Sequence, residues 1–376
     1  MDVLDLACEL IRFPSVSRDS NGPITDFVQQ RLKELGCAVE RCDYRDAAGV
    51  LKSSVVSKLG EGSGGIAFFG HTDVVPADVW FRDGPGPFEP TVEGGRLYGR
   101  GSCDMKGPVA AMLAAAGRVA KLDPKAPLYI VCTADEEIGY AGALDVVAKS
   151  KIYQEMVQGA TRGVIAEPTR LGVVHGHKGT YGFRAVSHGR AAHSSTRDGI
   201  NANLAMIPFL TEMKAIYDET ETDPAWQDDT FDPPTLSWNI CMGDGGSALN
   251  VTARESVATV SFRPMPGQDA DALVQRARRK AAACGLDFEV PFQFGPLYVD
   301  PESAFIREML RLTGADRSRT VCYGTDGVVL QDIREKVIVG PGDVAQAHTV
   351  DEWIALEQLE RGTDVFTRIM RHYCCG

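Results

Sequence analysis

Short apolar runs break off into acids and imidazoles at several places along this chain. Residues 128–132 (Leu-Tyr-Ile-Val-Cys) form a run too short and too β-branched for a helix, which predicts a buried strand. It ends in Asp135-Glu136-Glu137. A second run at 65–70 gives way to His71-Thr-Asp73, a third at 163–166 to Glu167, and a fourth at 336–339 leads on to His348. A Gly-flanked turn carrying Asp104 opens an apolar helix. Helical spacing predicts helices over 2–13, 24–35 and 105–122, alternating with strands, and so a mostly parallel sheet covered by helices. Such sheets bind ligands outside the carboxyl ends of their strands, and the five breaks are expected to share one crevice.

The rhythm changes near residue 180. A strand (181–187), a helix (201–217), two strands (236–242 and 256–263), a helix (270–284) and a strand (286–292) follow in turn. That β-α-β-β-α-β order predicts a ferredoxin-like α+β unit inserted into the α/β domain. The expected division is a catalytic domain at 1–179 and 294–376 interrupted by a lid at 180–293, with a hinge near Gly179 and Gly295. Residues 218–234, rich in Asp, Thr and Pro, predict a long exposed loop, and 304–313 and 351–372 predict helices.

Length supports two cores in one chain of 376 residues. A net charge of −12 argues against nucleic acid or an anionic membrane as partner. No apolar stretch reaches membrane-spanning length, and acids stand at the start where a signal peptide carries positive charge. Ten cysteines without a Cys-x-x-Cys pair predict a reduced, cytoplasmic protein, with Cys374 and Cys375 in a loose tail.

His71, Asp104, Glu137, Glu167 and His348 make a hard N/O ligand set without thiolates, which points away from a closed structural zinc site. Five ligands are too many for one tetrahedral ion that also holds water, and suit two ions roughly 3.5–4 Å apart. Asp104 is the natural bridge, with His71 and Glu167 on one ion and Glu137 and His348 on the other. Glu136 is then placed to move a proton, and Asp73 to hold the His71 ring. His175 and His177 are expected in a loop near substrate, His188 and His372 as ordinary surface histidines.

Taken together, Gly70-His-Thr-Asp-Val-Val-Pro, Gly99-Arg-Gly-Ser-Cys-Asp-Met-Lys-Gly, Thr133-Ala-Asp-Glu-Glu, Ala166-Glu-Pro-Thr and Gln346-Ala-His-Thr-Val-Asp-Glu resemble the M20 family of co-catalytic metallopeptidases and amidohydrolases. The resemblance spans nearly the whole chain. Arg263-Pro-Met-Pro-Gly and the stretch 340–348 are similar to its acetylornithine-deacetylating branch, with succinyl-diaminopimelate desuccinylases and di- or tripeptidases as sibling readings. It implies a zinc-peptidase-like fold, two Zn2+ ions (Co2+ or Mn2+ in their place), and a homodimer formed through the lid. It also implies metal ligation by the five residues above, acid/base work by Glu136 and orientation by Asp73. His193 would stabilise the oxyanion, and Asn250 and Arg263 would hold the substrate, with Lys178 and Thr325 as further substrate contacts. Two stretches depart from the pattern: Asn250-Val-Thr-Ala replaces Asn-Val-Ile-Pro, and Tyr323-Gly-Thr-Asp-Gly stands where that branch has another tripeptide. The rival from another class is a metal-dependent binding protein without turnover.

Overall fold

Residues 2–80 and 84–376 are described by the structure, a computed structural model. They fall into two units. The first comprises Met1–Gly176, Val299–Arg319 and Thr325–Gly376; the second comprises His177–Tyr298 and Thr320–Gly324.

The first unit is built on a mixed sheet. Its strands run in the order Ala38–Arg45, Leu51–Leu59, Leu128–Thr133, Ile66–His71, Arg162–Ile165, Lys336–Ile338 and Val173–His177. The central four are mutually parallel, and antiparallel strands flank them on both sides. Every residue of Leu128–Thr133 and of Ile66–His71 is buried, as expected for strands covered on both faces. Three of the helices expected from spacing are present. Val3–Ile11 is capped by Asp2, whose side chain accepts from Leu4 and Asp5. Gly22–Glu34 has Pro in its first turn. Lys106–Val119 is alanine-rich and buried almost throughout, because the helices Val3–Ile11 and Leu356–Cys375 pack against it.

Two expectations for this unit are corrected. Residues 351–355 are not helical: Trp353–Ala355 is a short strand paired with Arg96–Tyr98, and the helix begins at Leu356. Cys374 and Cys375 are no loose tail either. The helix runs to Cys375, the Cys374 thiol is buried against the carbonyl of Pro127, and the Cys374 carbonyl accepts from Lys125 and Ala126. All ten cysteines are free thiols. No helix among the described residues is long and apolar enough to cross a membrane.

The second unit has the expected β-α-β-β-α-β order. Its antiparallel sheet runs Asn239–Gly243, Glu255–Phe262, Thr180–His188, Asp287–Phe294. The helices Ala202–Thr222 and Ala270–Ala283 bury Phe209, Met213, Leu273 and Ala277 against Phe183, Val260 and Phe262. Trp238 stacks on Phe262 with ring centroids 4.5 Å apart. The first helix overruns its expected end because Lys214 pairs with Asp218 one turn on and the Thr222 hydroxyl bonds back to the Asp218 carbonyl, so residues 218–222 are helix rather than loop. His175 and His177 are also corrected: both lie buried in the strand Val173–His177, not in a loop.

Candidate metal centre

His71 closes the strand Ile66–His71, and its ring is buried with one nitrogen facing inward. Nδ1 lies 2.9 Å from the Asp73 carbonyl oxygen, which fixes the ring and leaves Nε2 as the site-facing donor. Nε2 stands 3.1 Å from Asp104 Oδ1 and 3.6 Å from Glu167 Oε1. On the other side His348, held at a left-handed backbone (φ 61°), brings its Nε2 to 3.3 Å from Asp104 Oδ2 and 3.0 Å from Glu137 Oε2. The two oxygens of Asp104 thus face two different imidazoles. Donor atoms of His71, Asp104 and Glu137 all lie within 4.8 Å of one another.

These gaps suit metal ions. Ligands at about 2.0–2.2 Å from a tetrahedral ion are roughly 3.3–3.6 Å apart, close to the spacings above. Charge gives the same answer. Burial, reinforced by neighbouring acids, holds Glu136, Glu137 and Glu167 above the ordinary carboxylate range. Asp104 and Glu137 push His348 up to about 10. Burial opposes a proton on His71 as well, yet Asp104 and Asp73 hold that ring well above its usual range. Burial likewise opposes charge on Asp104, but His348 and His71 leave it below the usual range. The cluster therefore draws protons onto its imidazoles to offset crowded carboxylates, and cations would serve the same end.

Asp73 differs from expectation in detail. Its carboxylate is 3.5 Å from His71 Nδ1, farther than its own carbonyl. The carboxylate instead accepts from the amides of Glu136 (3.1 Å) and Glu137 (3.3 Å) and from the Ser17 hydroxyl (2.7 Å), so it fixes the turn that carries both glutamates.

Two residues escaped the sequence reading. Glu352 is fully buried and accepts from Arg100 Nη1 (2.8 Å) and from the amides of Gly101, Cys103 and Asp104 (2.9, 2.8 and 2.9 Å). It sets the Asp104 turn, in which the Asp104–Met105 peptide is cis. Asp326, also buried, accepts from Thr133 Oγ1 at 2.5 Å, and its other oxygen has no hydrogen-bond partner among the described residues. Burial, with Asp73 adding to it, pushes its carboxyl up to about 6. Neither had a sequence signal beyond being a carboxylate inside a motif stretch, Glu352 in 346–352 and Asp326 in 323–327.

Other candidates lie outside this cluster. In the second unit, His193 is exposed and pairs with Val251 in an isolated bridge. Its Nδ1 accepts from the Ser195 amide at 3.3 Å, so a neutral ring carries its proton on Nε2. Asn250 is exposed, and its carbonyl accepts from Ser194. Arg263 bonds Thr180 Oγ1 at 2.5 Å, although no sequence signal marked that partner. The buried Lys178 ammonium donates to the carbonyls of Pro233 (2.7 Å) and Thr235 (2.5 Å). In the first unit, Thr325 is buried and caps the turn Asp326–Val328 through the Gly327 amide. His188 pairs with Asp287 and His372 with Glu308.

Comparison with known proteins gives the family. The sequence pattern of peptidase family M20/M25/M40 matches residues 67–372. Acetylornithine deacetylase of Myxococcus xanthus is 32% identical over 380 residues, covering 98% of this chain and 96% of that protein. The M20 family metallo-carboxypeptidase Sso-CP2 from Sulfolobus solfataricus superposes with a TM-score of 0.78 at 17% identity, covering 99% of each chain. The Bacillus subtilis YXEP protein, a dinuclear metal-binding peptidase, does so with a TM-score of 0.63 at 15% identity, covering 98% of this chain and 96% of that one. With that pattern running across most of its length, and with His71, Asp104 and Glu137 grouped so that they could hold a metal ion, the chain belongs to peptidase family M20/M25/M40 as a metal-dependent hydrolase.

Proposed function

We propose that this chain hydrolyses the amide bond of an N-acyl amino acid, with N2-acetylornithine as substrate and ornithine and acetate as products. The observation that carries the reading is Asp104 held between two imidazoles, with Glu136 on the turn beside it. The substrate choice is supported by the deacetylase relatives, of which one is 32% identical. In this reading His71, Asp104, Glu137, Glu167 and His348 would hold a pair of metal ions, taken here as zinc. Bound there, such ions would supply Lewis acidity toward a water and an acyl carbonyl.

The remaining work falls to side chains. Glu136 takes a proton from the attacking water as its oxygen bonds to the acyl carbon. It returns that proton to the nitrogen as the C–N bond breaks, which releases the amine neutral. Asp73 keeps Glu136 and Glu137 diverging by holding their amides. His193, with its proton on Nε2, is suited to donate to the oxyanion, and Asn250 and Arg263 to hold the substrate's carboxylate. Lys178, already engaged by two carbonyls, serves as a brace for the loop at 233–235.

A panel of acetyl-, succinyl- and peptidyl-amino acids, assayed with zinc and with chelator, tests the substrate. Preference for a succinyl or free-amine substrate would overturn acetylornithine. Glu136→Gln should keep its metal and lose roughly 10²–10⁴-fold in kcat. Unchanged turnover would remove the assigned base.

We also propose a homodimer through the second unit. Its helix Ala202–Thr222 exposes Leu204 and Ile207, and Met242 is exposed on the edge strand Asn239–Gly243. Light scattering should give twice the chain mass, and Leu204→Glu with Ile207→Glu should halve it. A monomeric parent protein would refute the dimer.

A further inference from the structure

The turn carrying Glu136 and Glu137 begins at Asp135, which is left-handed (φ 56°, ψ 31°) and buried. A left-handed non-glycine residue is strained and persists only where its surroundings hold it. Here the surroundings are specific. Asp135 Oδ1 accepts from Lys52 Nζ at 3.0 Å, and Oδ2 from the Tyr44 hydroxyl at 2.6 Å. The sheet register explains why these three meet. Tyr44 pairs with Lys52 across the first two strands, and Val55 pairs with Cys132 across the next two. Continued three residues past that last pair, the second ladder sets Lys52 level with Asp135.

Lys52 also reaches the other side of the turn. Its ammonium, 1% exposed, donates to the carbonyls of Ser17 and of Asp19 (2.9 Å). The Ser17 hydroxyl donates to Asp73 Oδ2, and Asp73 holds the amides of Glu136 and Glu137. One buried cation thus grips the start of the turn through Asp135 and its middle through Ser17 and Asp73. We propose that Lys52, assisted by Tyr44, is a positioning residue that sets where the two glutamates of the Glu136–Glu137 turn point. It touches no reacting atom and acts only through its partners. The proposal rests on the proposed roles of Glu136 and Glu137.

The test compares Tyr44→Phe, Lys52→Met and the double variant, each zinc-loaded, with Glu136→Gln as control. Small displacements of a catalytic group are expensive, so kcat should fall roughly ten-fold in Lys52→Met and a few-fold in Tyr44→Phe, with KM unchanged. The double variant should lose less than the product of the single losses, because both act through Asp135. A readout independent of turnover is zinc affinity by chelator competition. It should weaken at one of two sites, the one using Glu137, and hold at the other. Wild-type kcat and affinities in both single variants would overturn the proposal, as would equal loss at both zinc sites in step with thermal stability. If Lys52→Met does not fold, Tyr44→Phe alone decides, since it deletes one hydroxyl. If Glu136→Gln turns over normally, the acid/base reading fails, and the anchor is judged on the one-site zinc effect.

Discussion

Truncating Glu352 to alanine gives the sharpest test of how the Asp104 turn is held. The side chain is fully buried and accepts four hydrogen bonds, one from the Arg100 guanidinium and three from backbone amides. Arg100 is itself 2% exposed. Deleting one member of a buried ion pair costs about 3–5 kcal/mol because the other charge is left without a partner. Each orphaned amide can add about 1–3 kcal/mol, less whatever water recovers by entering the vacated space. We expect at least about 3 kcal/mol in total. At about 2–4 °C per kcal/mol for units of this size, thermal unfolding should come at least about 6 °C earlier. Because the amides of Cys103 and Asp104 are among those released, zinc affinity should fall as well. Calorimetry with chelator competition measures both. Arg100→Ala should then cost much less in the Glu352→Ala background than alone, since its partner is already gone. A Glu352→Ala protein that unfolds within a degree or two of the parent, with unchanged zinc affinity, would refute the reasoning.

Two further outcomes follow from the site. Asp326 has its carboxyl raised by burial to about 6 from an unfolded value near 3.8, so the folded state binds that proton more tightly than the unfolded state does. Its contribution is therefore fully present below about pH 4 and is lost as pH rises to about 6, amounting to about 3 kcal/mol. In metal-stripped protein, Asp326→Asn should flatten the fall in urea stability between about pH 4 and 6; equal slopes would exclude Asp326 as a source. A Cβ on Gly340 would stand 2.1 Å from the Ala166 carbonyl oxygen and 2.5 Å from that of Glu167. Gly340→Ala should thus destabilise by about 1–3 kcal/mol and weaken zinc binding, whereas Gly243→Ala, with open space around it, should do neither. Matching effects of the two changes in thermal unfolding and zinc titration would contradict this.

The strand ends were legible because a fully buried strand is a short apolar run, and the polar residue after it marks the sheet's carboxyl edge. That logic placed His71, Glu137 and Glu167 without long-range information. It could not find Glu352, whose partners lie some 250 residues earlier in the chain, because a buried acid and a solvated one read alike in sequence. Asp326 stayed hidden for the same reason. The strand Trp353–Ala355 reads as helix in sequence because three residues are too few to show a period of two, and the amphipathic helix after it sets the pattern. The Asp73 carboxylate stays 3.5 Å from the His71 ring that its sequence position suggests, and folding adds two amides and a hydroxyl that no local pattern announces.

The place of Lys336–Ile338 in the sheet, between Arg162–Ile165 and Val173–His177, bears on how the protein is made. During translation both neighbours leave the ribosome well over a hundred residues ahead of the strand that joins them. Until it arrives, the sheet is split by an open slot with two unpaired edges, and Glu352 is still unsynthesised. Tight metal loading must wait for the last tenth of the chain, and a product cut short before residue 336 would expose sticky strand edges without gaining a working centre.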